Sequence, residues 1–130
     1  MADSIFTKII KGEISAKKLY EDAMTIVIVP LHPIALAHVL VIPKVQVDQF
    51  IDLDDEDYQA VWATVKKFGQ HMREVVKPIR IGVQISGLDV PHVHVHVIAF
   101  DTIDQFREHP DESSPPDQAK IDELVAKLAL

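Results

Sequence analysis

Residues 92–98 read His-Val-His-Val-His-Val-Ile. On an extended chain, side chains at i, i+2 and i+4 share one face. Val93, Val95 and Val97 would therefore enter a core, and His92, His94 and His96 would line the opposite face. A sheet with only solvent on that side would not need three imidazoles in register.

Working outward, Ile79–Ser86 is a second β-rich run, separated from the first by Gly87-Leu88-Asp89-Val90-Pro91. Met24–Val29 and Ala37–Ile42 are two more, joined through Pro30-Leu31-His32-Pro33 and expected to pair antiparallel. Between the two pairs, the acidic run Asp52–Asp57 suits the start of a helix, where the dipole favours acids. Tyr58, Val61, Trp62, Val65, Phe68, Met72 and Val75 then repeat every three or four residues, predicting one long helix to about Val76, before Pro78. A short helix over residues 3–11 would be capped by Asp3 or Ser4 and closed at Gly12, with Ile5, Phe6, Ile9 and Ile10 on one face. Arg107–Gln118 reads as a polar, Pro-rich linker. A last amphipathic helix follows, with Ser114 as N-cap, Pro115 at its first turn, and Ile121, Leu124, Val125 and Leu128 as its stripe. Strands in adjacent pairs predict an α+β fold with a mainly antiparallel sheet. The expected division is a domain over 1–106 and a linker with C-terminal helix over 107–130.

The 130 residues carry 13 Lys+Arg against 20 Asp+Glu, a net charge of −7 with histidine neutral. That balance speaks against binding to nucleic acid or anionic membrane. There is no cysteine, so disulfides, thiolate catalysis and Cys-based zinc sites are excluded. The longest apolar stretches are too short to span a bilayer, and the expectation is a cytoplasmic protein. Of seven histidines, His71 is placed on the solvent side of the long helix, His109 in the linker, and His32 in the loop before Pro33.

Three readings of the triple histidine stay open on residues alone. In the first the imidazoles are structural on a half-buried face; in the second they ligate zinc or copper; in the third one is a nucleophile toward phosphorus, forming a phosphohistidine. In the third, flanking histidines donate to phosphoryl oxygens and protonate the leaving group.

The run resembles the histidine triad (HIT) motif, His-x-His-x-His followed by two apolar residues. Ser4-Ile5-Phe6, Lys8-Ile9-Ile10, Glu13 to Lys17, Tyr20-Glu21-Asp22, Pro33, His38 and Val41-Ile42-Pro43-Lys44 extend the resemblance to the histidine triad nucleotide-binding (Hint) branch, over about residues 4–100. The resemblance implies a HIT-like fold and a homodimer. It implies hydrolysis or transfer at the α-phosphate of a purine nucleotide or nucleoside phosphoramidate, without cofactor or metal. His94 would be the nucleophile, the His92 carbonyl would hold its far nitrogen, His96 would contact phosphate, and His38 would support. Ile5, Phe6, Ile9, Ile28 and Leu31 would line the base pocket. Lys44 would help draw an anionic substrate. The alternatives are a nucleotide-sensing or partner-binding module with weak catalysis, and a histidine-based metal-binding protein.

Four departures from that pattern surround the triad. Pro30 stands where the family has an acid for the ribose. Asp89 stands where it often has Ser or Thr against phosphate. The family's Asn and Ala-Gly-Gln segment is replaced by the shorter Ser86–Pro91, with Gln84 or Ser86 nearest to the missing amide. Lys-Lys-His reads Lys44-Val45-Gln46, and the Pro after the motif is Ala99.

Overall fold

A computed structural model describes residues 2–130. The elements are α1 (Ile5–Ile10), β1 (Lys18–Glu21), β2 (Thr25–Ile28), β3 (Ala37–Pro43), a 3-10 turn (Phe50–Asp52), α2 (Asp55–Val76), β4 (Arg80–Gln84), β5 (Val95–Phe100), α3 (Ile103–Phe106) and α4 (Gln118–Leu128). The strands form one five-stranded sheet in the order β1-β2-β3-β5-β4, and every neighbouring pair is antiparallel. The fold is α+β, as the paired runs predict.

Strand alternation sorts the side chains into two layers. Val39, Val41, Val93, Val95 and Val97 pack with Val61, Val65, Phe68 and Met72 of α2. Ile26, Ile28, Leu40 and Ile42 emerge on the other face and pack with Phe6 and Ile9 of α1. The histidines share this second face. In the β3–β5 register Leu40 lies opposite His96 and His38 opposite Ile98, so His38 and His96 are diagonal neighbours.

The two ends of α2 have separate causes. Asp54 caps it by accepting from the Asp57 N–H, and Lys77 closes it in the left-handed region at φ 57°. Its buried stripe is Val61, Thr64, Val65, Phe68 and Met72, while Tyr58 and Val75 lie at the exposed margin.

Several expectations are corrected. In α1, Ser4 is the one of the two expected caps that is used, but of the four expected apolar positions only Phe6 and Ile9 are buried, with Ile10 half-buried beside them and Ile5 46% exposed. A six-residue helix turns too few side chains inward to hide four. The run 79–86 pairs only over Arg80–Gln84, and the last strand starts at Val95, so His92 and His94 lie in its lead-in. The C-terminal helix is capped by Asp117 rather than Ser114 and starts at Gln118. Consecutive prolines explain the shift, because Pro116 pushes Pro115 away from helical backbone. Ile121, Leu124 and Leu128 of α4 join the core beneath α2, and the Leu130 N–H donates to the Leu19 carbonyl. His71 consequently faces protein rather than solvent. Its Nε2 lies 3.1 Å from the Leu128 carbonyl, and its ring meets the edge of Phe68.

Candidate active site

Four imidazoles meet where β3, β5 and α1 converge, and backbone groups settle where each carries its proton. A carbonyl can only accept, so a ring nitrogen facing one must be the N–H. His94 Nδ1–H donates to the His92 carbonyl at 2.7 Å, which leaves Nε2 with a lone pair. That atom is buried and has no hydrogen-bond partner. His92 Nε2–H donates to the Pro43 carbonyl at 2.8 Å, and its Nδ1 accepts from the Ser4 hydroxyl at 2.7 Å. The Ile34 N–H donates to His38 Nδ1 at 3.2 Å, so His38 is protonated on Nε2 and donates to His96 Nδ1 at 2.9 Å. His96 therefore carries its proton on Nε2.

Burial holds His38, His92 and His96 toward the neutral form. It is the main cause that lowers His38 to about 3, with the charges of His96 and Lys120 adding to it. It also lowers His96 to about 4, with His94 adding and Asp89 opposing. His92 moves down for the same reason, against the pull of the Pro43 carbonyl.

Phe6 closes the floor, meeting the His92 and His94 rings edge-on at centroid distances of 5.8 and 4.9 Å. The loop carrying Ile34 is pinned from outside, since the Lys120 ammonium donates to the Ala35 carbonyl at 2.7 Å. His32 lies against the C-terminal segment as well, with Nε2 2.9 Å from the Ser114 carbonyl and Nδ1 3.1 Å from Glu112.

A cavity of about 320 Å³ opens on His94, lined by Asp48, Gln49, Phe50, Ile85, Ser86, Gly87, Leu88 and Val93. Of the two candidates for the missing amide, Ser86 is here. Gln84 instead donates to the Phe106 carbonyl. Asp89 Oδ1 lies 3.3 Å from His94 Nε2, without the geometry of a hydrogen bond.

The residues assigned to the base pocket separate into two sets. Phe6, Ile9 and Ile28 are buried together. Ile5 and Leu31 are 46% and 61% exposed. Lys44 pairs with Glu21, 2.9 Å from its carboxylate. Among the described residues no group of three or more His, Asp or Glu is placed to hold a metal ion. His92 and His94 are turned to backbone and hydroxyl partners instead, and His96 to the His38 ring.

Sequence reading missed the support beneath His92. Gln46 Oε1 accepts from the Ser4 N–H at 2.8 Å and the Thr7 hydroxyl at 2.6 Å, and its Nε2 donates to the Ala2 carbonyl at 2.9 Å. Gln46 thus ties the helix N-terminus to the end of β3 and aims Ser4 at His92. The one signal available was that Val45 and Gln46 stand where Lys and His complete a familiar Lys-Lys-His.

A family model described as HIT domain matches residues 11–103. The chain belongs to the HIT family. This HIT protein is 35% identical over 106 residues to the adenosine 5'-monophosphoramidase HNT1 of Candida albicans, covering 75% of this chain and 70% of that one. It is 30% identical over 128 residues to the bifunctional bis(5'-adenosyl)-triphosphatase/adenylylsulfatase FHIT of Arabidopsis thaliana, covering 85% and 71%. Its fold superposes on the crystal structure of a Hit-like protein from Bartonella henselae with a TM-score of 0.82 at 26% identity, covering 98% and 94%. No helix among the described residues is long and apolar enough to cross a membrane.

Proposed function

We propose that this HIT protein is a hydrolase acting at the α-phosphate of a purine nucleotide derivative, with a nucleoside phosphoramidate as the leading substrate class. The observation that carries the reading is the state of His94. Its Nδ1–H is held by a carbonyl, its Nε2 lone pair is buried and unpartnered, and the residue lines a cavity. A neutral imidazole so fixed is a ready nucleophile.

In this reading His94 Nε2 attacks the α-phosphorus and the bond to the leaving group breaks. The nucleotide is left covalently on His94. Water then attacks the same phosphorus and releases the nucleotide. His96 Nε2–H, aligned through His38, donates to a phosphoryl oxygen and stabilises charge as it develops. Phe6, Ile9 and Ile28 form the apolar floor for the base. The resemblance supports a homodimer as the working form, and the short apolar stretches of the sequence support a cytoplasmic location. The names of the Candida and Arabidopsis relatives support adenosine nucleotides as first substrates to try.

Single-turnover kinetics with adenosine 5'-phosphoramidate test the reading. His94→Asn, which keeps a polar side chain without a nucleophilic ring nitrogen, should lower the rate by roughly 10³ or more. Wild-type turnover in that variant would refute the assignment. Tight binding of AMP with no turnover by the wild type would favour the sensing module.

A further inference from the structure

An alkylamine leaves phosphorus only if its nitrogen takes up a proton, and the four histidines have none to spare. The hydrogen bonds place one proton on each ring, and burial disfavours a second on His38, His92 and His96. Those of His92 and His94 are spent on backbone carbonyls. His38 gives its own to His96 and cannot take another on Nδ1, because the Ile34 N–H already points there. If His96 released its Nε2 proton, an imidazolate would remain beside a buried neighbour. His96 is thus a hydrogen-bond donor to phosphate, not the proton source that the triad alone suggests.

A carboxyl group fills that gap. Asp89 Oδ1 lies 3.3 Å from the buried, unpartnered Nε2 of His94. Gly87, at φ +80°, turns the chain, and Gly87 and the 96% exposed Leu88, the residues just before Asp89, line the cavity. The other titratable groups facing this space are His94, His96 and, across the cavity, Asp48. A phosphoryl anion and an ionised Asp89 repel each other at such range. A carboxyl group at that range tolerates a bound phosphoryl anion best in its protonated form.

We propose that Asp89 is the acid–base catalyst of this site, an inference that rests on the hydrolase reading above. In the first displacement the bond from His94 Nε2 to phosphorus forms and the phosphorus–nitrogen bond breaks. The Asp89 carboxyl proton passes to the leaving nitrogen, giving a neutral amine and a carboxylate. In the second displacement the carboxylate takes one proton from water as the water oxygen bonds to phosphorus. The bond to His94 breaks, and both His94 and the Asp89 carboxyl are restored. One carboxyl serves both steps because amine and water use the same face of the phosphorus.

Leaving-group dependence is the test. Two adenosine 5'-monophosphate derivatives are compared, an alkylamine amide and a 4-nitrophenyl ester, whose phenolate departs without a proton. Asp89→Asn preserves the shape and removes the proton. It should lower kcat/KM for the amide by roughly 10²–10⁴, and for the ester by at least about tenfold less. Asp89→Ser should show the same split. Equal losses on both substrates, no loss on the amide, or gains on both would overturn the proposal. If the wild type turns over neither compound, the hydrolase reading itself fails.

Discussion

Between about pH 7.5 and about pH 5 this fold should lose stability, because the buried His38 and the half-buried His96 refuse a proton that the unfolded chain accepts. Burial, with its charged neighbours, holds His38 at about 3 and His96 at about 4, against an ordinary value of 6.5. Both folded values are depressed. Below 6.5 the unfolded chain therefore binds more protons than the folded one. The stabilising contribution is complete above about 6.5 and drains away as the pH falls toward about 4. At pH 5 one such histidine costs about 2 kcal/mol of stability. The two rings share a hydrogen bond and titrate as a pair, so together they cost about 2–4 kcal/mol. His92, shifted in the same direction, adds to the same slope. Urea unfolding of the wild type and of His38→Gln at pH values across this window reads the effect. The variant should lose about 2 kcal/mol less than the wild type over the same interval. A flat stability profile between about pH 7.5 and about pH 5, or identical slopes in the two proteins, would refute the neutral-pair description.

Two further outcomes follow from contacts that the triad motif does not contain. Gln46→Ala removes three hydrogen bonds that hold Ala2, Ser4 and Thr7. At about 1 kcal/mol each it should cost about 2–3 kcal/mol in urea unfolding, and a cost under about 0.5 kcal/mol would contradict the tether. Asp89→Ser removes a carboxylate beside the nucleophile, so AMP should bind about fivefold tighter at low salt near pH 8, by calorimetry. That gain should shrink in about 0.5 M salt, and unchanged affinity at low salt would mean the carboxylate does not face the bound phosphate.

The fold was legible where one residue decides its own neighbourhood. Alternating Val93, Val95 and Val97 announced a strand, and the spacing from Val61 to Met72 announced the helix that covers it. The ends were harder. Nothing local distinguishes Ser114 from Asp117 as a cap except two prolines between them, and the short strand Lys18–Glu21 has no clear alternation. At the site, the four histidines were readable as residues but not as chemistry. Their protonation is set by the Pro43 and His92 carbonyls and the Ile34 N–H, and backbone groups leave no mark in a side-chain pattern. The Ser4–Gln46 contact spans 42 residues and the Ser4–His92 contact 88, so no periodicity could have joined them. Lys44 is the reverse case. Its charge near the motif invited a phosphate, and only the fold shows Glu21 beside it.

The central claim is that the nucleotide rests covalently on His94 between two displacements. Rapid mixing with adenosine 5'-phosphoramidate, an alkaline quench and intact-mass analysis examine it directly, since a phosphorus–histidine bond survives in base. The account predicts a transient adduct of one adenylyl group per chain, mapped to the peptide containing His94 and absent from His94→Asn. Burst-free turnover with no adduct at any mixing time, or an adduct that persists in His94→Asn, would contradict it.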